Sequence, residues 1–429
     1  MSTTNRKTPS PWRRLSVRIL RPVFSIALAV VLSEALFSGY AYWKHGTISV
    51  EKLQELDTGN SFIEELDDAR TGYAATLYPH PYLGYVHNEK AEGDPQRTNT
   101  RVNNVGLFGR DVPLRKDPMK FTVLLTGGSV AFQLGIAGEG GRSYLEIFLN
   151  DRYHFDREVV VLNAGAGAGK QPRQAITYML YGDAADAVVT LEGFNEHYQF
   201  LGNGLRLEYP GNNFHAVNPI AQHGYEQLAR SWQSRELKRF ARQQNWRTVY
   251  YATSALRRLL EREPEPSRAS LESYMSLPAK WPREERVAYN LEQYKKYIRS
   301  MNALADMNGA KRAFFIQPCP AIGKTLTAEE KPVVGDLDYA SVYQHMTDEL
   351  LTLRERGIPV VSLLDLFADT QEAVYADAVH CQSGQATDFS HAVNFRPSFG
   401  YRIMAEAMAD RLAEAWNIPR RAAAPAPSP

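Results

Sequence analysis

A serine follows two glycines in Thr126-Gly127-Gly128-Ser129, directly after the apolar run Phe121–Thr126. At a strand-to-helix turn, a serine meets free helix N–H groups and the positive end of the helix dipole. That setting suits a nucleophile whose reaction builds an oxyanion, and it equally suits a plain helix N-cap. A second cluster alternates glycine with alanine: Gly165, Gly167 and Gly169 stand ahead of Lys170 and Gln171. It is not a phosphate loop, because Ala164 occupies a required glycine position and Gln171 the Ser/Thr position. The dinucleotide pattern also fails, since its third glycine falls on Lys170. What remains is a backbone-exposing turn at a strand end, able to line an oxyanion hole. The third cluster is Glu192-Gly193-Phe194-Asn195-Glu196-His197. Asn195 there is either an amide donor to the same oxyanion or a turn residue.

Two Asp-x-x-His units lie near the C-terminus, Asp377/His380 and Asp388/His391. This spacing lets a carboxylate orient an imidazole and stabilise its cation, so that the ring takes a serine proton. Metal binding is the competing reading of such a cluster. No His-x-x-x-His or cysteine group supports it.

These clusters need elements to position them. Five short apolar runs, Phe121–Thr126, Val159–Asn163, Ala187–Leu191, Ala313–Gln317 and Pro359–Leu363, read as strands buried on both faces. Helical patterns at Tyr144–Arg152, Gln171–Leu180 and Tyr339–Arg356 separate them. Alternating strands and helices predict a three-layer α/β/α sandwich with a mostly parallel, flavodoxin-like sheet. Each chemical cluster but the last sits at the carboxyl end of a strand, where such sheets bind ligands. A long insertion, residues 197–310, reads as the helices Gln222–Glu261 and Arg283–Asn308. Its basic stretch is Arg235, Lys238, Arg239, Arg242, Arg247, Arg257 and Arg258. That stretch reads either as a solvated helix face or as a contact for an anionic glycan or lipid headgroups.

Pro22–Trp43 is apolar apart from Glu34 and long enough to cross a ~30 Å hydrocarbon core. Six cations and no acid precede it, and Tyr40, Tyr42 and Trp43 mark its far end. The positive-inside rule puts the N-terminus in the cytoplasm and the remainder outside. No clean small-x-small cleavage site comes after it, so the segment reads as an uncleaved anchor rather than a signal peptide. Glu34 is costly at mid-membrane and marks either a helix–helix contact or a position near the interface. The expected organisation is a basic cytoplasmic segment 1–21, a transmembrane helix 22–43, a juxtamembrane stalk 44–79, a domain 80–418 and a disordered tail 419–429. The formal charge of +1 excludes a strongly basic nucleic-acid binder. Cys319 and Cys381 allow one disulfide but no disulfide framework.

Taken in order, the serine turn, glycine block, Gly-x-Asn and Asp-x-x-His resemble the SGNH (GDSL-like) hydrolase superfamily, membrane-anchored bacterial type. The likeness covers roughly residues 80–418. Asn103-Asn104-Val105-Gly106-Leu107-Phe108-Gly109 adds a partial match to the Asn-x-x-Gly-Phe-Arg-Gly lead-in of many anchored members. The resemblance implies Ser129 as nucleophile and Asp377 with His380 as the dyad, with Asp388 and His391 as the alternative. It implies an oxyanion hole of Ser129, Gly169 (or Gly167) and Asn195, and no metal or cofactor. With the anchor, it implies an inner-membrane, single-pass esterase or deacetylase facing the periplasm, acting on acyl (acetyl) esters of envelope or exported polysaccharide. The alternatives are an O-acyltransferase using the same residues, and a non-catalytic glycan-binding or assembly protein. The expected partners are an ester substrate and the membrane, not nucleic acid; no protein partner is assigned.

Overall fold

In this computed structural model the described residues are 11–56, 73–91, 98–201, 204–211, 214, 217–260, 271–382 and 399–421. The five apolar runs form β1 (Lys120–Gly127), β2 (Glu158–Gly165), β3 (Ala187–Glu192), β4 (Lys311–Ile316) and β5 (Val360–Ser362). Their spatial order is β2-β1-β3-β4-β5, and every neighbouring pair is parallel. This is the flavodoxin-like order that the alternating pattern predicts.

The helices of eight residues or more among the described residues are α1 (Pro11–His45), α2 (Ser129–Ile136), α3 (Tyr144–Arg152), α4 (Arg173–Tyr181), α5 (Phe194–Leu201), α6 (Pro219–Gln244), α7 (Arg247–Leu260), α8 (Arg283–Met307), α9 (Ala340–Leu351) and α10 (Phe399–Trp416). Successive strand side chains point to opposite faces. Val123 and Leu125 therefore pack with α2, α3 and α10, through Leu134, Leu149, Met404 and Met408. Leu124 and Leu162 pack with α4, α8 and α9, through Tyr178, Ile298 and Met346. The result is a three-layer α/β/α sandwich. Burying each large apolar side chain in it is worth roughly 1.5–3 kcal/mol.

The chain divides into two compact units. One comprises residues 69–222 and 268–429 and holds the sheet. The other comprises residues 1–68 and 223–267 and is helical. The expected insertion is thus shared: α7 and most of α6 belong to the helical unit, α8 to the sheet unit. Gln222–Glu261, expected as one helix, is two. The chain turns at Asn245, whose φ of 51° lies in the left-handed region that asparagine tolerates. In the helical unit, Ala41, Val50, Leu53 and Tyr250 form a small core. The most apolar 18-residue window of Arg21–His45 in α1 has a mean hydropathy of 1.8, and the helix is long and apolar enough to cross a membrane. At the far end of the sheet unit, Arg421 N–H donates to the Arg152 carbonyl at 2.8 Å, so the first residues of the expected tail pair with the end of α3.

Candidate active site

Ser129 is the first residue of α2, one step beyond the glycine pair that ends β1. Gly127 has φ +152°, and a Cβ there would lie 2.0 Å from the Leu191 carbonyl. A Cβ on Gly128 would lie 2.4 Å from Asn195 Nδ2. Both positions therefore exclude a side chain, which lets the ends of β1 and β3 close up beside the serine. The first-turn N–H groups of α2 have no partner within the helix, so they face the space in front of Ser129.

Opposite lies the loop between β5 and α10. His380 Nε2 is 2.7 Å from Ser129 Oγ, and His380 Nδ1 is 2.8 Å from Asp377 Oδ2. Asp377 Oδ1 accepts the backbone N–H groups of Val379 and His380, each at 2.8 Å. Burial raises the Asp377 carboxyl, but the hydrogen bonds from the His380 ring and these two N–H groups outweigh it. The net effect holds the group below its usual range. An ionised Asp377 accepts only, so Nδ1 carries the ring proton and Nε2 is left to accept the serine proton. The loop is closed on itself, since Ala376 N–H donates to the His380 carbonyl at 2.8 Å. The alternative pair, Asp388 and His391, lies outside the described residues.

Sequence patterns gave no hint of what anchors this loop. Glu330, fully buried, accepts the N–H groups of Val374 at 2.7 Å and Tyr375 at 3.0 Å through Oε1. Its Oε2 accepts Thr327 N–H at 2.8 Å and lies 3.5 Å from Lys324 Nζ. Burial pushes this carboxyl up, yet the three N–H groups and Lys324 bring it below its ordinary value. Glu330 stands far from the dyad in the chain; its local Thr327-x-x-Glu330 motif is a capping box, with Glu330 N–H donating to Thr327 Oγ1 at 3.2 Å, and that motif does not point to the dyad loop. Only contacts identify it.

The two glycine-containing blocks form the other half of the site. Asn195 Nδ2 donates to the Gly169 carbonyl at 2.8 Å, which fixes the amide beside Gly128. The Gly169 N–H closes a turn onto the Ala166 carbonyl at 2.9 Å. Gly169 thus holds the amide donor through its oxygen, while its own N–H is engaged. Gly167 accepts the Tyr85 hydroxyl through its carbonyl.

Behind Asn195, Glu196 ties the two blocks together. Its carboxylate accepts Gln171 N–H and Gly193 N–H, each at 2.9 Å. Glu192 accepts Gln171 Nε2 at 2.9 Å and Thr190 Oγ1 at 3.0 Å. Burial, followed by the neighbouring Glu196 charge, pushes Glu192 well up, and burial raises Glu196 as well. Lys170, buried with its amine donating to the Tyr209 carbonyl at 2.5 Å, is pushed down to about 8 by that burial. Glu196 follows Asn195 directly in the third cluster, but nothing in that cluster points to its bond with Gln171.

The lead-in motif acts at one remove. Asn103 Oδ1 accepts Val105 N–H at 3.1 Å and Leu107 N–H at 3.0 Å. This turn delivers Phe108 to pair with Asn163 on β2 and to pack edge-on against Phe132 of α2. Cys319 and Cys381 are both buried free thiols.

No family model matches this chain, and no curated protein sequence matches it. Solved structures do align with it. A putative acylhydrolase from Bacteroides fragilis is 10% identical, with 71% of this chain and 91% of that one covered and a TM-score of 0.34. A GDSL-like lipase from Bacteroides thetaiotaomicron is 11% identical, with 68% and 88% covered and a TM-score of 0.31. An acetylxylan esterase from Geobacillus stearothermophilus, crystallised as a catalytic mutant, is 12% identical, with 69% and 95% covered and a TM-score of 0.35. The chain resembles the SGNH hydrolases in the order of its motifs and in their places on the sheet.

Proposed function

We propose that this protein is a membrane-anchored serine esterase of the SGNH type. In this reading it removes acyl groups, acetyl above all, from envelope or exported polysaccharide. The observation that carries it is the relay Ser129–His380–Asp377, with both side-chain links under 3 Å.

Ser129 Oγ attacks the ester carbonyl carbon while its proton passes to His380 Nε2. Asp377 holds the Nδ1 proton and stabilises the imidazolium that forms. The oxyanion sits before the Ser129 N–H and the Asn195 amide, the latter held in place by Gly169. On collapse, the leaving alkoxide takes the proton from Nε2 and an acyl-serine remains. A water then loses its proton to His380 as it attacks, and the acid and the free serine are released. No step needs another charged group. The cationic N-terminal segment and the apolar span of α1 support a single pass, with the N-terminus cytoplasmic and the sheet unit in the periplasm.

The test is intact mass of the full-length protein in detergent after a serine-reactive fluorophosphonate, with Ser129→Ala as control. One adduct on wild type and none on the variant is expected. A folded wild-type protein that takes no adduct would sink the esterase reading. Acetate release from an O-acetylated glycan, scored against acetyl transfer to an added acceptor, then checks hydrolysis against transfer.

A further inference from the structure

A cavity of the sheet unit lies outside the proton relay and shares a wall with it. Its volume is about 330 Å³, a size for a small ligand rather than a folded partner. Three segments enclose it. The floor is the glycine turn and the start of α4, residues 167–173. One wall is the tip of a hairpin, residues 81–85, which joins the paired strands Leu77–His80 and Gly84–His87. The other wall is the first part of the insertion, with Glu208, Pro210, Gly211 and Phe214, backed by Leu271 and Met275. The floor is also the turn that supports the oxyanion donor. Gly169 lines the cavity and holds the Asn195 amide through its carbonyl. That carbonyl lies 3.2 Å from where a Cβ on Gly128 would sit. The cavity and the reactive serine therefore share one turn.

Fixed contacts set the walls. His80 Nδ1 accepts the N–H groups of Tyr82 at 3.2 Å and Leu83 at 3.1 Å, which holds the hairpin tip. Arg173 lies over the Tyr85 ring, 4.4 Å from its centre, and donates to the Tyr85 carbonyl at 2.9 Å, tying the hairpin to the floor. Lys170 donates to the Leu207 and Tyr209 carbonyls, tying the insertion to the floor. Phe214 closes on the hairpin, since a Cβ on Gly84 would lie 2.7 Å from its ring. The lining is amphipathic. Tyr82 at the tip is 67% exposed, and Phe214, Ile176 and Met275 are half-buried. Among them stand three charged residues, Lys170, Arg173 and Glu208. An acyl chain would lay hydrocarbon against those charges. A pyranose ring matches the mixture, because its C–H face packs on aromatic rings while its hydroxyls meet polar groups.

We infer that this cleft binds the sugar ring next to the acetylated one, with Tyr82 and Phe214 as its specificity-determining contacts. The inference rests on the esterase reading and extends it from the ester to the glycan. The ring that carries the acetyl group sits before Ser129, and its neighbour in the polysaccharide reaches across the glycine turn. The walls come from the hairpin and the insertion, both outside the five-stranded sheet. The sheet thus supplies the chemistry, and the added segments supply the choice of glycan. Because the walls are set beforehand, little ordering cost is left to binding.

The test measures kcat/KM of the full-length protein in detergent on O-acetylated glucose, N-acetylglucosamine and galacturonic acid, each as one ring and as two linked rings. The readout is the ratio of the two-ring to the one-ring value within each protein, so a general loss of activity cancels. Wild type should gain about tenfold from the second ring in at least one series. Tyr82→Ala and Phe214→Ala should each remove most of that gain, and Tyr82→Phe should keep it. No gain in any series, or a gain that both alanine variants keep, overturns the cleft. A shift by the two variants in the preference between 4-nitrophenyl acetate and 4-nitrophenyl butyrate would mean that the cleft takes the acyl chain, which also overturns it. A wild type that turns over none of these esters sinks the esterase reading. Calorimetric binding of the two-ring sugars to wild type and Tyr82→Ala then decides the cleft alone. Binding that the variant weakens keeps the sugar site, and no binding, or equal binding, overturns it.

Discussion

Glu330 and Glu192 are both fully buried and both brace the site, yet they titrate in opposite directions. Glu330 supports the loop that carries Asp377 and His380. Three backbone N–H groups and Lys324 converge on it, so its charged form is the favoured one. Glu192 supports the half that carries Asn195. It has side-chain donors but also a second carboxylate, Glu196, so its charged form is disfavoured. The lesson is that burial alone does not decide a carboxylate. The supply of N–H groups and the sign of the nearest charge do. The proton-transfer half is thus braced by a carboxylate whose charged form is favoured, and the oxyanion half by one whose charged form is disfavoured.

The comparison can be broken first at the chemistry. Ser129→Ala or His380→Ala should lower kcat by at least about 10⁴-fold, with folding unchanged by circular dichroism. Asn195→Ala should cost about 10²–10³-fold in kcat with KM nearly constant, because its amide acts on the transition state. Equal losses in the two halves would mean that Asn195 also positions the serine.

The supporting carboxylates sharpen it further. Glu330→Gln leaves Lys324 only the Thr370 and Glu372 carbonyls and weakens the charge-assisted bonds from three N–H groups, and should destabilise by about 1.5–3 kcal/mol at pH 7 in denaturant titrations. Because the Glu330 pKa is lowered, its stabilisation is complete above the ordinary 4.5 and is lost as pH falls through the lower folded value. The gap between wild type and Glu330→Gln should therefore close as the medium is acidified below 4.5. Glu192→Gln has the smallest effect, about 1 kcal/mol, and the opposite sense. The Glu192 pKa is raised, so the unfolded chain loses this proton first, and wild-type stability falls as pH rises above 4.5. The variant should gain on wild type over that interval. A variant curve parallel to wild type would mean that the Glu192 carboxyl is not raised in the folded protein.

Much of the site was legible in the chain. Ser129, Gly169 and Asn195 each come just after an apolar run, and in a parallel sheet every such run delivers its end to the same edge. The Asp377–His380 spacing gave the imidazole its carboxylate, since that contact is local. The sequence favoured Asp377 with His380 and kept Asp388 with His391 as the alternative; only the structure brings His380 to Ser129, across 251 residues. Glu330 was invisible for the same reason, and the α6–α7 break was missed because a single asparagine carries it. Glu34 stood out as a charge in an apolar run, but nothing local pointed to Arg247, whose guanidinium lies 3.1 Å from it.

By itself, then, the sequence determined what short-range physics controls: strand period, glycine turns, dyad spacing, and one helix apolar enough for a membrane. The tertiary structure alone decided which distant groups meet, namely His380 with Ser129, Glu330 with the catalytic loop, Glu196 with Gln171 and Glu34 with Arg247. The reason is that a hydrogen bond needs its partners within about 3 Å, and for residues far apart in the chain only packing sets that distance.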